Sequence, residues 1–122
     1  PDANTRLKTL KCMAAGLKPY GLIMLDVNNR HNRLAYGRMK VLKRRIIDAL
    51  SFDEARGDAY FEWKIAGQSF PTSGHLFTLR EIETLFVKAG LKVLDRCAVH
   101  YATGKVSSSP YDGQLFYVLT HA

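Results

Sequence analysis

Residues 77–91 read Phe77-Thr-Leu-Arg-Glu-Ile-Glu-Thr-Leu-Phe-Val-Lys-Ala-Gly-Leu91, and the fold is read outward from this stretch. Thr78 followed three residues later by Glu81 is a capping box, in which each side chain satisfies a free backbone N–H at the other's position. Phe77 and Ile82 flank it at the spacing of a hydrophobic staple. Leu85, Phe86 and Ala89 then recur on one helical face, and Gly90 can adopt the left-handed conformation that ends a helix. The pattern predicts a helix over 78–89.

On the C-terminal side, Leu91 to Tyr101 carries Leu91, Val93, Cys97, Val99 and Tyr101 along one side, which predicts a strand. Gln114-Leu-Phe-Tyr-Val-Leu-Thr120 is nearly all apolar and predicts a second. Between them Ala102 to Gly113 holds three serines, Pro110, Gly104 and Gly113, and is expected to be a long loop. On the N-terminal side, Tyr60 to Ile65 suggests a half-exposed strand, with the pattern breaking from Gly67 to Gly74 and from Ser51 to Asp58. Arg38 to Leu50 places Met39, Leu42, Ile46 and Leu50 in an apolar stripe, so an amphipathic helix is expected to bury that stripe. Leu22 to Val27 is an apolar run of the kind covered on both faces of a parallel sheet. It ends in the polar loop Asn28 to Asn32. Arg6 to Leu17 repeats apolar residues at helical spacing and is closed by Gly16, Pro19 and Gly21.

The chain has 122 residues and 47% hydrophobic content, enough for one domain or a large piece of one. No apolar stretch reaches the roughly 18 residues of a membrane span, and no signal pattern opens the chain, so a soluble, cytoplasmic protein is expected. The first residue, Pro1, lies close to a regular helix, which suggests a piece cut from something longer. Cys12 and Cys97 stand alone, without metal or redox spacing, and read as buried free thiols. The four histidines, at 31, 75, 100 and 121, lack the close spacing of a zinc site. There is no G-x-S-x-G element for a hydrolase. Of the net charge of +7, an equal excess sits between Arg30 and Arg45, which holds seven basic residues and no acidic one. A field of that kind attracts phosphates, anionic substrates or nucleic acid. A solvated helix face is the plain alternative, and the lack of interleaved aromatics weighs against single-strand stacking.

The order helix, Leu17-Lys-Pro-Tyr-Gly21 turn, buried strand, polar loop, insertion, helix 77–91, strand, loop, strand resembles the second half of class I S-adenosylmethionine-dependent methyltransferases. Leu17 to Gly21 matches that family's L-K-P-G-G turn except at Tyr20. Phe77, Thr78, Glu81, Ile82, Leu85, Ala89, Gly90 and Leu91 match its helix before the sixth strand. The resemblance implies an α/β fold. Its partial Rossmann-like sheet would hold the fifth, seventh and sixth strands, the last antiparallel and central, with flanking helices and a substrate-side insertion over 32–74. It also implies a small-molecule methyl acceptor and S-adenosylmethionine as donor. The family's glycine-rich turn and ribose-binding acid have no counterpart here, so the N-terminal half of the same enzyme would have to supply the grip on the cofactor. The chain alone is expected to be inactive, with an exposed sheet edge open to dimerisation.

Ligands of open α/β sheets lie beyond the carboxyl ends of the strands, which directs attention to Asn28–Asn32. Asn28, Asn29 and Arg30 are candidate substrate contacts, and His31 is a candidate base for the proton released on methylation. His75 is a second candidate base. Tyr36 and Tyr101 are candidate pocket aromatics, with core packing as their alternative. A basic binding module built on 38–45 is the competing function.

Overall fold

A computed structural model describes residues 2–122, and the inference drawn from Pro1 lies outside the described residues. Helix α1 (Ala3–Gly16) is capped by the Asp2 carboxylate, which accepts the Thr5 N–H at 2.8 Å. In the turn that follows, Tyr20 adopts φ 63°, the left-handed region that a glycine would enter without strain. Gly21 leaves no room for a side chain, because a Cβ there would lie 2.8 Å from the Lys18 carbonyl oxygen.

Strand β1 (Ile23–Val27) leaves this turn, and the chain continues through α2 (Arg33–Tyr36), α3 (Arg38–Leu50), a 3-10 turn (Glu54–Gly57) and the hairpin of β2 (Asp58–Ile65) and β3 (Gln68–His75). Then come α4 (Leu79–Lys88), β4 (Leu91–His100), β5 (Lys105–Ser107) and β6 (Gln114–His121). The main sheet has the order β1-β6-β4-β5. The last strand is wedged between β1 and β4 and runs antiparallel to both, with Leu25 opposite Tyr117 and Cys97 opposite Phe116. Strands β1 and β4 therefore run parallel to each other, on either side of the strand that comes last in sequence.

One face of this sheet carries the core. Leu115, Tyr117 and Leu119 of β6 are buried with Leu91 of β4 against Ile82, Leu85 and Phe86 of α4 and Leu10 and Ala14 of α1. Phe86 has no exposed surface and meets Tyr117 edge-on at 4.9 Å between ring centroids. The capping box is formed as the sequence predicts, with the Glu81 N–H donating to Thr78 Oγ1 at 3.2 Å, and Gly90 takes φ 76°.

Several expectations are corrected. Strand β1 is an edge strand and is covered on one face only, leaving Met24 78% exposed. The helices α1 and α4 both lie on the other face, and the apolar character of 22–27 does not by itself say how many layers are present. The α3 stripe is not buried either: Met39, Leu42, Ile46 and Leu50 are exposed, and Val41 is the buried residue of that helix. Residues 68–75 form β3 rather than an irregular break, and 105–107 form β5 within the expected loop. Cys12 is exposed and Cys97 half-buried, both as free thiols. Among the described residues no helix is long and apolar enough to cross a membrane.

Candidate functional site

The loop after β1 is fastened on both sides. Its backbone joins the segment entering α4, with Arg30 N–H donating to Phe77 O at 2.9 Å and Phe77 N–H donating to Asn28 O at 2.8 Å. Asn29, 1% exposed, donates through Nδ2 to the carbonyls of Pro110 and Gly113 at 2.7 and 2.9 Å, and its Oδ1 accepts the His31 N–H at 3.0 Å. Both ends of that amide are thus committed to the backbone. Asn32 caps α2, accepting the Leu34 and Ala35 N–H groups. Asn28 is exposed at the loop's entrance, and its Oδ1 accepts from Gln114 Nε2 at 3.4 Å.

Asp48, on α3, gathers the charged side chains of this loop. It accepts two bonds from Arg30, at 2.8 and 3.3 Å, and its Oδ2 lies 2.9 Å from His31 Nε2. The third side of the Arg30 guanidinium donates to Arg56 O at 2.7 Å. Arg30 is buried, so this fork holds α3 and the 3-10 turn onto the loop rather than reaching outward. Burial pushes the Asp48 carboxyl up, but the bonds from Arg30 and His31 outweigh it and hold the group below its ordinary value. For His31 burial dominates: its pKa is lowered despite the Asp48 contact, with Arg30 and Arg45 acting in the same direction as burial. His31 is therefore neutral near pH 7. With Nε2–H donating to Asp48, Nδ1 carries the lone pair.

His31 and Asp48 sit in the wall of an open cleft of about 890 Å3 between α3 and α4, whose apolar lining includes Leu42, Ile46, Phe52 and Leu79. Tyr111 also lines the cleft, and its ring centroid lies 4.2 Å from the Arg45 guanidinium. Tyr36 is outside this lining. Its ring carries Arg44 at 4.5 Å and Lys40 at 5.8 Å. Much of the basic segment is accordingly occupied: Arg30 with Asp48, Arg33 with Asp112, Arg44 with the Arg30 carbonyl and Tyr36.

His75 is held differently. Its Nδ1 lies 2.8 Å from Asp58 and its Nε2 2.7 Å from Glu81, and the side chain is almost wholly enclosed. Burial pulls its pKa down, yet the bonds to Glu81 and Asp58 outweigh that and raise it. Both ring nitrogens are engaged by carboxylates, so the ring ties the hairpin to α4 and its charged form is favoured there. Arg6 joins the same cluster, ion-paired with Glu54 and Glu81 and placed over the Phe77 ring. His31 and His75 thus lie on the two flanks of the Asn28–Phe77 backbone bridge with opposite charge preferences. Tyr101, by contrast, is on the open sheet face, donating to Asp26 at 2.5 Å, with its hydroxyl pushed up to about 12 by burial and that carboxylate.

Asp48, Glu54 and Arg6 are not singled out by the sequence alone. The one available signal is position: Asp48 is the first acid after the basic run and falls on the same helical face as Arg44 and Arg45. Among the described residues no group of three or more His, Cys, Asp or Glu side chains is placed to hold a metal. Among the described residues the strand-to-helix connections, 28–32 and 76–78, carry no glycine, so neither is a glycine-rich turn for a nucleotide-like cofactor. Gly113 lies between β4 and β6, where a Cβ would meet Val99 O at 2.3 Å, so its lack of a side chain serves strand packing rather than a phosphate or methionine cradle.

No family profile and no curated protein matches this sequence. Among solved structures the fold is similar to the crystal structure of an S-adenosylmethionine-dependent methyltransferase from Clostridium acetobutylicum ATCC 824, with a TM-score of 0.56 and 14% identity. The likeness covers 99% of this chain and 52% of that one, so the chain spans about half the length of the protein it matches. The fold is methyltransferase-like: a mixed α/β arrangement around a sheet whose paired strands are antiparallel.

Proposed function

We propose that this chain is the C-terminal half of a class I S-adenosylmethionine-dependent methyltransferase domain acting on a small-molecule acceptor. The observation that carries the reading is the central, reversed final strand between β1 and β4, which together with the likeness over half of a known methyltransferase points to the fifth, seventh and sixth strands of a Rossmann-like sheet. On this reading the free edge of β1 pairs with a strand of the N-terminal half, and the bare sheet face around Met24 receives that half's helices. The cofactor, which supplies an activated methyl group when bound, is gripped outside these residues.

What this chain contributes is the acceptor side. The acceptor lies in the cleft between α3 and α4, at the carboxyl end of β1. His31 takes up the acceptor's proton at Nδ1, and Asp48 fixes the ring by holding Nε2–H and balances the imidazolium that results. Asn28, exposed at the start of the loop and outside the cleft's lining, is the remaining candidate polar contact of the loop, while Asn29 and Arg30 position it. His75, with both ring nitrogens engaged by Asp58 and Glu81, is a tie rather than a base.

The test has two parts. Calorimetry on the isolated chain is expected to give no micromolar S-adenosylmethionine binding, and measurable binding at that level overturns the reading. The coding sequence upstream of Pro1 is expected to encode a strand followed by a glycine-rich turn. In that longer protein His31→Ala is expected to slow transfer about 100-fold or more while cofactor affinity stays unchanged.

A further inference from the structure

The hairpin β2–β3 projects an apolar face with nothing packed over it. Phe61, Trp63 and Ile65 alternate along β2, and Phe70 lies directly across from Trp63. All four are exposed, Trp63 by 62%. A two-stranded ribbon of this kind is marginal in water without a partner.

Its two edges are not equivalent. The strands are joined by Ala66 and Gly67, at φ 50° and 78°, a two-residue turn that makes Ile65 and Gln68 a hydrogen-bonded pair. By alternation Phe61, Trp63 and Ile65 spend their backbone groups on β3, while Tyr60, Glu62 and Lys64 turn theirs to the free edge of β2. On β3 the same alternation turns the nitrogen of Pro71, opposite Glu62, to the outer edge, where it cannot donate. The β3 edge is thereby blunted, and the β2 edge is left able to pair.

We propose that two copies of this chain associate by antiparallel pairing of β2 with β2 of the partner about a two-fold axis at Trp63. Sequence symmetry about that residue selects a second copy as the occupant. Glu62 falls opposite Lys64 of the other copy, and Lys64 opposite Glu62. Phe61 falls opposite Ile65, and Trp63 meets its own equivalent. The outward-turned backbone groups of 62 and 64 are those this register requires, and Trp63, turned toward β3, is in a non-hydrogen-bonded pair, where opposed side chains come closest. The four strands so formed share one continuous apolar face. The inference does not depend on the methyltransferase reading.

Light scattering coupled to size-exclusion chromatography on the chain is expected to show twice the mass of one chain. Glu62→Lys and Lys64→Glu each place like charges opposite one another twice in the dimer and are expected to weaken it on the order of tenfold, whereas the double exchange restores it. In a Cys12→Ser background, Trp63→Cys is expected to cross-link two chains on mild oxidation, since non-hydrogen-bonded partners about 4.5 Å apart are within disulfide reach. A monomer at every accessible concentration, a dimer indifferent to both charge reversals, or failure of the exposed cysteines to cross-link overturns the proposal and leaves the apolar face to another partner.

Discussion

The face of the sheet under α1 and α4 and the segment from Asn28 to His75 are held together by different forces. Under the helices, apolar residues at regular spacing meet each other: Phe86, Tyr117, Leu115 and Ile82 are all buried. In the segment, equally regular apolar residues of α3 and β2 face outward, and the closed contacts are polar, centred on Asp48 with Arg30 and His31 and on His75 with Glu81 and Asp58. A hydrophobic period marks a surface that wants covering. Whether this chain covers it depends on which elements meet, and the segment is fastened by directional bonds that leave its apolar stripes free for something else.

The contrast can be broken most forcefully at Phe86. Phe86→Ala is expected to cost about 3–5 kcal/mol, read as a large drop in the urea midpoint, with Phe86→Leu costing much less. Asp48→Ala removes the partner of the buried Arg30 and is expected to cost about 2 kcal/mol. Its signature is faster protease cleavage between 30 and 56 with little change in the protection of β6, and uniform loosening of the core would show the two regions to be one unit. The histidines sharpen the contrast by sign. His75, with a raised pKa, stabilises fully below its unfolded value near 6.5 and loses that contribution as pH rises through its folded value. His31, with a lowered pKa, stabilises above about 6.5 and loses its contribution as pH falls toward its folded value. Hydrogen-exchange protection, taken relative to the intrinsic rate at each pH, is therefore expected to fall around β3 on alkalinisation and around 28–32 on acidification, and His75→Gln should flatten the first profile alone. The smallest effect is expected at Leu50, 82% exposed: Leu50→Ser should shift stability by less than about 0.5 kcal/mol, since its apolar stripe has no cover to lose.

The legible parts of the sequence are those governed by neighbours in the chain. The capping box at Thr78 and Glu81, the inward face of α4 and the left-handed Gly90 follow from residues within a turn or two of each other. The polar loop Asn28–Asn32 after β1 is legible in the same way, and within it Asn29 and Arg30 spend their polar groups on the fold. Sequence reading fails at α3 because its stripe and its buried side, through Val41 and Asp48, are both compatible with the same spacing. Strand β3 escapes it because Pro71, Gly74 and three small polar residues hide a ribbon whose pairing comes from β2.

The chain's own letters settled helices α1, α3 and α4, the apolar strands β1, β4 and β6 and the turn over 17–21, because caps, glycine conformations and side-chain periodicity act over a few residues. Only the tertiary structure decided that Asp48 would reach His31 across 17 positions, that His75 would be clasped by two acids, and that one face of the main sheet would stay bare. Those outcomes depend on which distant surfaces meet and exclude water, and local spacing does not carry that information.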